Sequence, residues 1–227
     1  MHPSRRQFLE TAAGGAAALT LGPNIAAGLT TPAEFRGIAQ GQGFDHSWPN
    51  KVKGKHKVVM DVPEIDSGYG VWRSTIWASQ YGEALKVPAS DTSTVLVLRH
   101  NGIFLGMKQS FWDTYGIGKE KGALHPLTGK PTTVNPALMT SAKDGLQPAM
   151  DAFALPKFIE RGGIALGCNL AFEMDVVPTV QNHDKVDVAE ARKRAMDGLL
   201  PGVILQPSGI YAAIRAQEAG CVYIRAS

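Results

Sequence analysis

Only two cysteines, Cys168 and Cys221, occur in 227 residues, so a dense disulfide framework cannot be what holds the fold. Charge of one sign is equally scarce: 23 Lys and Arg stand against 20 Asp and Glu, a formal charge of +3. That balance gives no basis for binding nucleic acid or an anionic membrane. No apolar run approaches the roughly 20 strongly hydrophobic residues of a membrane span, so stable membrane insertion is not expected. Chemical signatures are missing too. There is no Gly-x-Gly-x-x-Gly after the first strand, no Gly-x-Ser-x-Gly elbow, and no Cys-x-x-Cys or His-x-x-x-His spacing. Cys168, His100, His183 and His125 are the residues from which a metal site would have to be built. Without ligand spacing no metal is expected among them, and no bound cofactor.

The N-terminus is informative. "SRRQFLE" at 4–10 sets two arginines before an apolar pair, and the mild, Ala- and Gly-rich "TAAGGAAALTLG" follows. This is the layout of a bacterial twin-arginine export signal, with the small residues Ala26, Ala27 and Gly28 as the cleavage site. The expectation is a signal at 1–28, the twin-arginine translocase as export partner, and a periplasmic mature chain beginning near Leu29. Residues 29–56 lack a sustained period and read as an N-terminal extension, with Lys51, Lys53, Lys55 and Lys57 as a solvated basic run.

From Lys57 onward strands and helices alternate. "KVVMDV" (57–62), "STVLVLRH" (93–100), "IALGC" (164–168), "GVILQ" (202–206) and "CVYIRA" (221–226) read as strands. Helices are expected over 72–86, 185–198 and 207–220, the second with Val186, Ala189 and Met196 inward and Glu190 set to pair with Arg194. Ser208 stands where an N-cap belongs, and Gly220 where the last helix must stop. Such alternation predicts a three-layer α/β/α sandwich with a mainly parallel five-stranded sheet in a single domain, 57–227. Residues 103–147, rich in proline and turn residues, read as an insertion: a lid, an arm or an oligomer contact. Its aromatic cluster Phe111, Trp112 and Tyr115 is read as core packing.

Parallel α/β sheets gather ligands outside the carboxyl ends of their strands. That rule brings together Ser67 after the first strand, His100 and Asn101 after the second, Cys168 and Asn169 after the third, and Ser208 and Gly209 after the fourth. Cys221 starts its strand whereas Cys168 ends one, so a parallel sheet separates them by a strand length of roughly 15 Å. If the last strand is parallel, a disulfide within the chain is excluded, since it needs Cα atoms within about 7 Å; the remaining routes are an antiparallel final strand or an intermolecular bond. Two readings of Cys168 remain open: a buried small hydrophobe, or a nucleophilic thiolate near helix N-termini with His100 as its neighbour.

The closing segment "LLPGVILQPSGIYAAIRAQEAGCVYIRAS" (199–227), the strand-end cysteine in "GGIALGCNLAF" and the "RHNG" turn resemble DsrE/DsrF-like proteins, over roughly 57–227 without the insertion. The resemblance implies an α/β sandwich that assembles into small oligomers and relays sulfur through a cysteine persulfide, without a cofactor. By position Cys168 is then the sulfur-bearing residue, with His100 beside it as the second catalytic candidate. Asn101, Asn169, Ser208, Gly209 and Ser67 line the rim as binding residues. The expected function is a periplasmic sulfur carrier, sulfurtransferase-like, acting as a homo-oligomer with a sulfur donor or acceptor protein. The alternative is a non-catalytic oligomeric binding module that uses the same rim and the 103–147 segment to hold a small ligand or partner. A thiol-disulfide reductase is disfavoured because the rim has no second cysteine.

Overall fold

The computed structural model describes residues 43–227; the export signal, its cleavage site and the first part of the extension lie outside them. Five strands form one wholly parallel sheet in the order β4-β3-β2-β1-β5. They are β1 (His56–Val62), β2 (Thr92–Leu98), β3 (Ile164–Cys168), β4 (Val203–Gln206) and β5 (Val222–Arg225). Strands β1 to β3 are nearly continuous aliphatic runs because both of their faces are covered. The main helices are α1 (Tyr69–Leu85), α2 (Gln109–Tyr115), α3 (Leu155–Glu160), α4 (Val177–Asp184), α5 (Val188–Asp197) and α6 (Gly209–Glu218).

The sandwich is lopsided. Val58, Met60, Val62, Leu96 and Leu98 point to one face, where they pack with Val71 of α1, Val177 and Val180 of α4, and Ala191 and Ala195 of α5. Val59, Val95, Val97, Ile164 and Leu166 point to the other, where they meet Ala212 and Ala216 of α6 together with Trp48 and Val52. The connections from β1 to β4 step along the sheet in one direction on the first face. The return to β5 runs back past β1, and a right-handed crossover then requires its helix on the opposite face, where α6 lies.

Residues 45–52 complete that second face beside α6. Trp48 is buried there, its Nε1 donating to Gln206 Oε1 at 3.0 Å, and Gln206 Nε2 donates to the Asp45 carbonyl at 2.8 Å. The extension is thus part of the domain core in its described portion.

Part of the 103–147 segment packs into the core. Ile103, Phe104, Leu105, Met107, Trp112 and Ile117 are fully or almost fully buried and belong to the main core. Phe111 and Trp112 pack as expected, and Trp112 Nε1 donates to the Phe104 carbonyl at 2.7 Å. Asn135 fastens the segment. It is completely buried, and its Nδ2 donates to the carbonyls of Leu105 at 3.1 Å and Met107 at 2.8 Å. Its Oδ1 accepts the Ala137 amide at 3.0 Å.

Two finer expectations change. Helix α5 starts later than expected because Asp187 caps it, accepting the Glu190 amide at 2.9 Å. Its inward residues are Ala191 and Ala195, whereas Ala189 and Met196 face outward; Val186 precedes the helix and packs against the core as expected. The Glu190–Arg194 pair forms, at 2.8 Å. Strand β2 ends at Leu98, so His100 belongs to the 3-10 turn His100–Gly106.

Candidate functional site at the carboxyl rim

The loops after β1 and β2 are sewn to each other. The Arg99 amide donates to the Val62 carbonyl at 3.1 Å, the Gly102 amide donates to the Pro63 carbonyl at 3.0 Å, and Asn101 Nδ2 donates to Glu64 Oε2 at 3.0 Å. Gly102 is required: a Cβ there would lie 2.1 Å from the Val62 carbonyl oxygen.

These loops hold the backbone in costly conformations. Asp66, Ser67 and His100 adopt left-handed φ values of 36°, 51° and 46°. The other left-handed non-glycine residues, Lys86 and Lys185, are C-caps of α1 and α4, where that conformation ends a helix. Asp66, Ser67 and His100 have no such explanation. Each costs on the order of 1–3 kcal/mol, the kind of strain that concentrates at binding and catalytic sites.

Beside them lies a cleft of about 210 Å³. Glu64, Asp66, Ser67 and Asn101 form its wall from the rim, and Lys121 and Leu124 form the wall from the 103–147 segment. Two of its charged residues are paired: Asp66 with Arg73 at 3.2 Å, and Lys121 with Glu120 at 3.1 Å, with the Lys121 ammonium also 4.9 Å from the centre of the Phe104 ring.

Of the residues assigned to the rim from the sequence, Ser67 and Asn101 line this cleft. His100 is exposed on the adjoining strained turn. Cys168 is 7% exposed and Asn169 fully buried. The Cys168 sulfur caps the turn Asn169–Ala171, accepting the Ala171 amide at 3.4 Å, and no hydrogen bond joins it to His100 among the described residues. A π-helical turn, Phe172–Val176, follows and leads into α4. Ser208 caps α6, accepting the Tyr211 amide at 3.0 Å. Gly209 lets α6 approach Arg99, since a Cβ would stand 2.8 Å from the Arg99 side chain. Both cysteines are free thiols at opposite ends of their strands, and burial pushes the Cys221 thiol up to about 11.

Adjacent strands whose following helices lie on opposite faces define the switch point of such a sheet. Here it falls between β3 and β4, where Cys168 pairs in register with Gln206. The Gln206 side chain is already engaged by Trp48 and Asp45.

One rim feature escaped the sequence reading. Asp61 is 2% exposed, and Arg99 grips it with two bonds, Nε to Oδ1 at 2.7 Å and Nη2 to Oδ2 at 2.8 Å. Tyr223 donates to Oδ2 at 2.5 Å. Burial works to raise the Asp61 pKa, yet the hydrogen bonds from Arg99 and Tyr223 outweigh it and hold the carboxyl below the usual range. The signal was present in "VVMDV" and "VLVLR": an acid inside one apolar run and a base at the end of its neighbour must find each other or remain costly.

Residues 2–22 match the TAT (twin-arginine translocation) pathway signal sequence. The chain is therefore exported by that pathway to the periplasm. No curated protein and no solved structure matches it. Among the described residues no helix is long and apolar enough to cross a membrane, and no group of three or more His, Cys, Asp and Glu side chains is placed to hold a metal ion.

Proposed function

We propose that the protein is an exported, non-catalytic binding module whose carboxyl-rim cleft holds a small zwitterionic molecule of amino-acid size. The observation that carries this reading is the coincidence of the 210 Å³ cleft with Asp66, Ser67 and the neighbouring His100, the left-handed residues that no helix cap explains. Rim and core segment each supply a wall, so the folded core fixes the shape of the cleft. Glu64 and Asp66 in the lining would suit an ammonium group, while Lys121, Ser67 and Asn101 would suit a carboxylate. Self-association accompanies this reading: β5 is an edge strand with Val222 and Ile224 exposed by 66% and 43%, a surface suited to pairing with a second copy.

The test is an amide NMR titration of the periplasmic protein with a panel of free amino acids. Saturable shifts at residues 64–67, 101 and 121–124 are expected, and they should vanish in Leu124→Trp, which fills the cleft from an exposed position. Absence of shifts across the panel, or shifts that survive Leu124→Trp, would reject the reading.

A second reading, sulfur relay in the manner of the DsrE/DsrF-like proteins, is favoured by the position of Cys168 at the end of β3 with a backbone N–H directed at its sulfur. Its step would be attack of the Cys168 thiolate on the outer sulfur of a donor persulfide, which breaks the donor S–S bond and releases the donor thiolate. A second thiolate would then take the outer sulfur from Cys168 and restore it. Cys221 is unsuited, because its raised pKa leaves little thiolate at neutral pH.

A further inference from the structure

The amino ends of β1, β2 and β3 open onto a larger cleft, about 540 Å³, on the rim opposite the site described above. Lys51, Lys53 and Arg161 line it, and no Asp or Glu does. The sequence produces this arrangement locally. In "KVKGK" the buried Val52 turns toward the sheet, which sends Lys51 and Lys53 outward. Gly54 then presses the chain onto β2, where a Cβ would stand 2.6 Å from the Thr92 carbonyl carbon, and its amide donates to Ser93 Oγ at 2.8 Å. From the far side Arg161 reaches Thr75 Oγ1 of α1 at 3.4 Å and also the Ala152 carbonyl. Neither lysine forms a salt bridge among the described residues.

Scattered surface cations attract little. Three around one concavity with no carboxylate in its lining focus their field into it. The remaining lining is rich in hydroxyls, among them the exposed Ser79 and Ser90. The volume falls within the range of sites for small organic ligands. From the cations and hydroxyls together we infer that this amino-rim cleft binds a tetrahedral oxyanion carried on a polyhydroxylated body, a sugar phosphate or sugar sulfate. The cations take the oxyanion and the serine hydroxyls take the body. This site is independent of the carboxyl-rim reading and stands if that reading fails.

The test is an amide NMR titration at low ionic strength with glucose 6-phosphate, galactose 6-sulfate, inorganic phosphate and glucose. Both esters should shift Gly54, Ser93 and Gly162 saturably, more tightly than phosphate alone, and glucose should shift nothing. Lys51→Gln/Lys53→Gln, which leaves the Arg161 bonds intact, should weaken the esters about tenfold, and adding Arg161→Gln should abolish binding. Retained thermal midpoints would show that the variants fold. Phosphate binding as tightly as the esters would overturn the polyhydroxylated ligand, and ester binding unaffected by the double variant would overturn the site.

Discussion

The two rims of the sheet are built on different principles. At the carboxyl rim three cations each hold an acid: Arg99 holds Asp61, Arg73 holds Asp66, and Lys121 holds Glu120. Its backbone is strained, its cleft is narrow, and the 103–147 segment forms one wall. At the amino rim three cations line the cleft with no carboxylate beside them in its lining, the cleft has more than twice the volume, and the left-handed residue in its lining is a glycine, Gly162. On the two proposals, the first rim would select by fixed shape and the second would attract by charge. The general rule for parallel sheets directs attention to the carboxyl ends alone; a cleft lined by cations and no carboxylate is what brings the other end into view.

The sharpest way to break the comparison is to remove the charge matching at the carboxyl rim. Arg99→Met leaves a buried carboxylate without its partner and should cost about 3–5 kcal/mol in urea unfolding. Adding Asp61→Leu should recover much of that loss, and a cost below about 1 kcal/mol for the single change would show that the pair is not structural.

Next in size is the clamp on the wall segment. Asn135→Ala strands two buried carbonyls and should cost about 3 kcal/mol in the same assay. A near-neutral result would return 103–147 to the status of an appendage.

Titration separates the regions further. The Asp61 carboxyl is held below its usual pKa despite burial, and hydrogen bonds from His183 and Arg194 lower Asp184 to about 2. Stability from both is present above the unfolded carboxylate range and is lost as pH falls from about 4 toward 2. The raised pKa of Cys221 acts at the other end. The unfolded thiol ionises first, so stability should decline as pH rises from about 9 toward about 11. Thermal melts across pH should show both slopes, with the alkaline one flattened in Cys221→Ala.

The smallest effect is the most diagnostic for strain. Ser67→Gly and His100→Gly should each stabilise by up to about 1 kcal/mol, since glycine accepts a left-handed φ without penalty. Lys53→Gln at the amino rim should leave stability within about 0.5 kcal/mol. Destabilisation by both glycine substitutions would contradict the picture of a strained rim.

Much of the architecture was legible because it is written locally. "IALGC" is β3 to the residue, Ser208 caps α6, Gly220 follows its end, and the strand-end logic separating the cysteines matches two free thiols. The 103–147 segment was not legible. Its elements are single turns such as Pro136–Leu138 and Ser141–Asp144, too short for a hydrophobic period, and Asn135 ties them to carbonyls some 30 residues away. Of the candidate site, Ser67 and Asn101 could be placed from the sequence. Lys121 and Leu124 could not, because only the folding of the segment onto the core brings them to the rim. The amino-rim cations lie at 51, 53 and 161, and no motif joins them.

Native mass spectrometry of the protein isolated from the periplasm tests the central claim most directly, because it separates a bound molecule from covalent sulfur. The account predicts a small non-covalent adduct on the wild type that is absent from Leu124→Trp, with Cys168 unmodified. A spectrum with no such adduct and one added sulfur atom on Cys168, lost in Cys168→Ser, would contradict it.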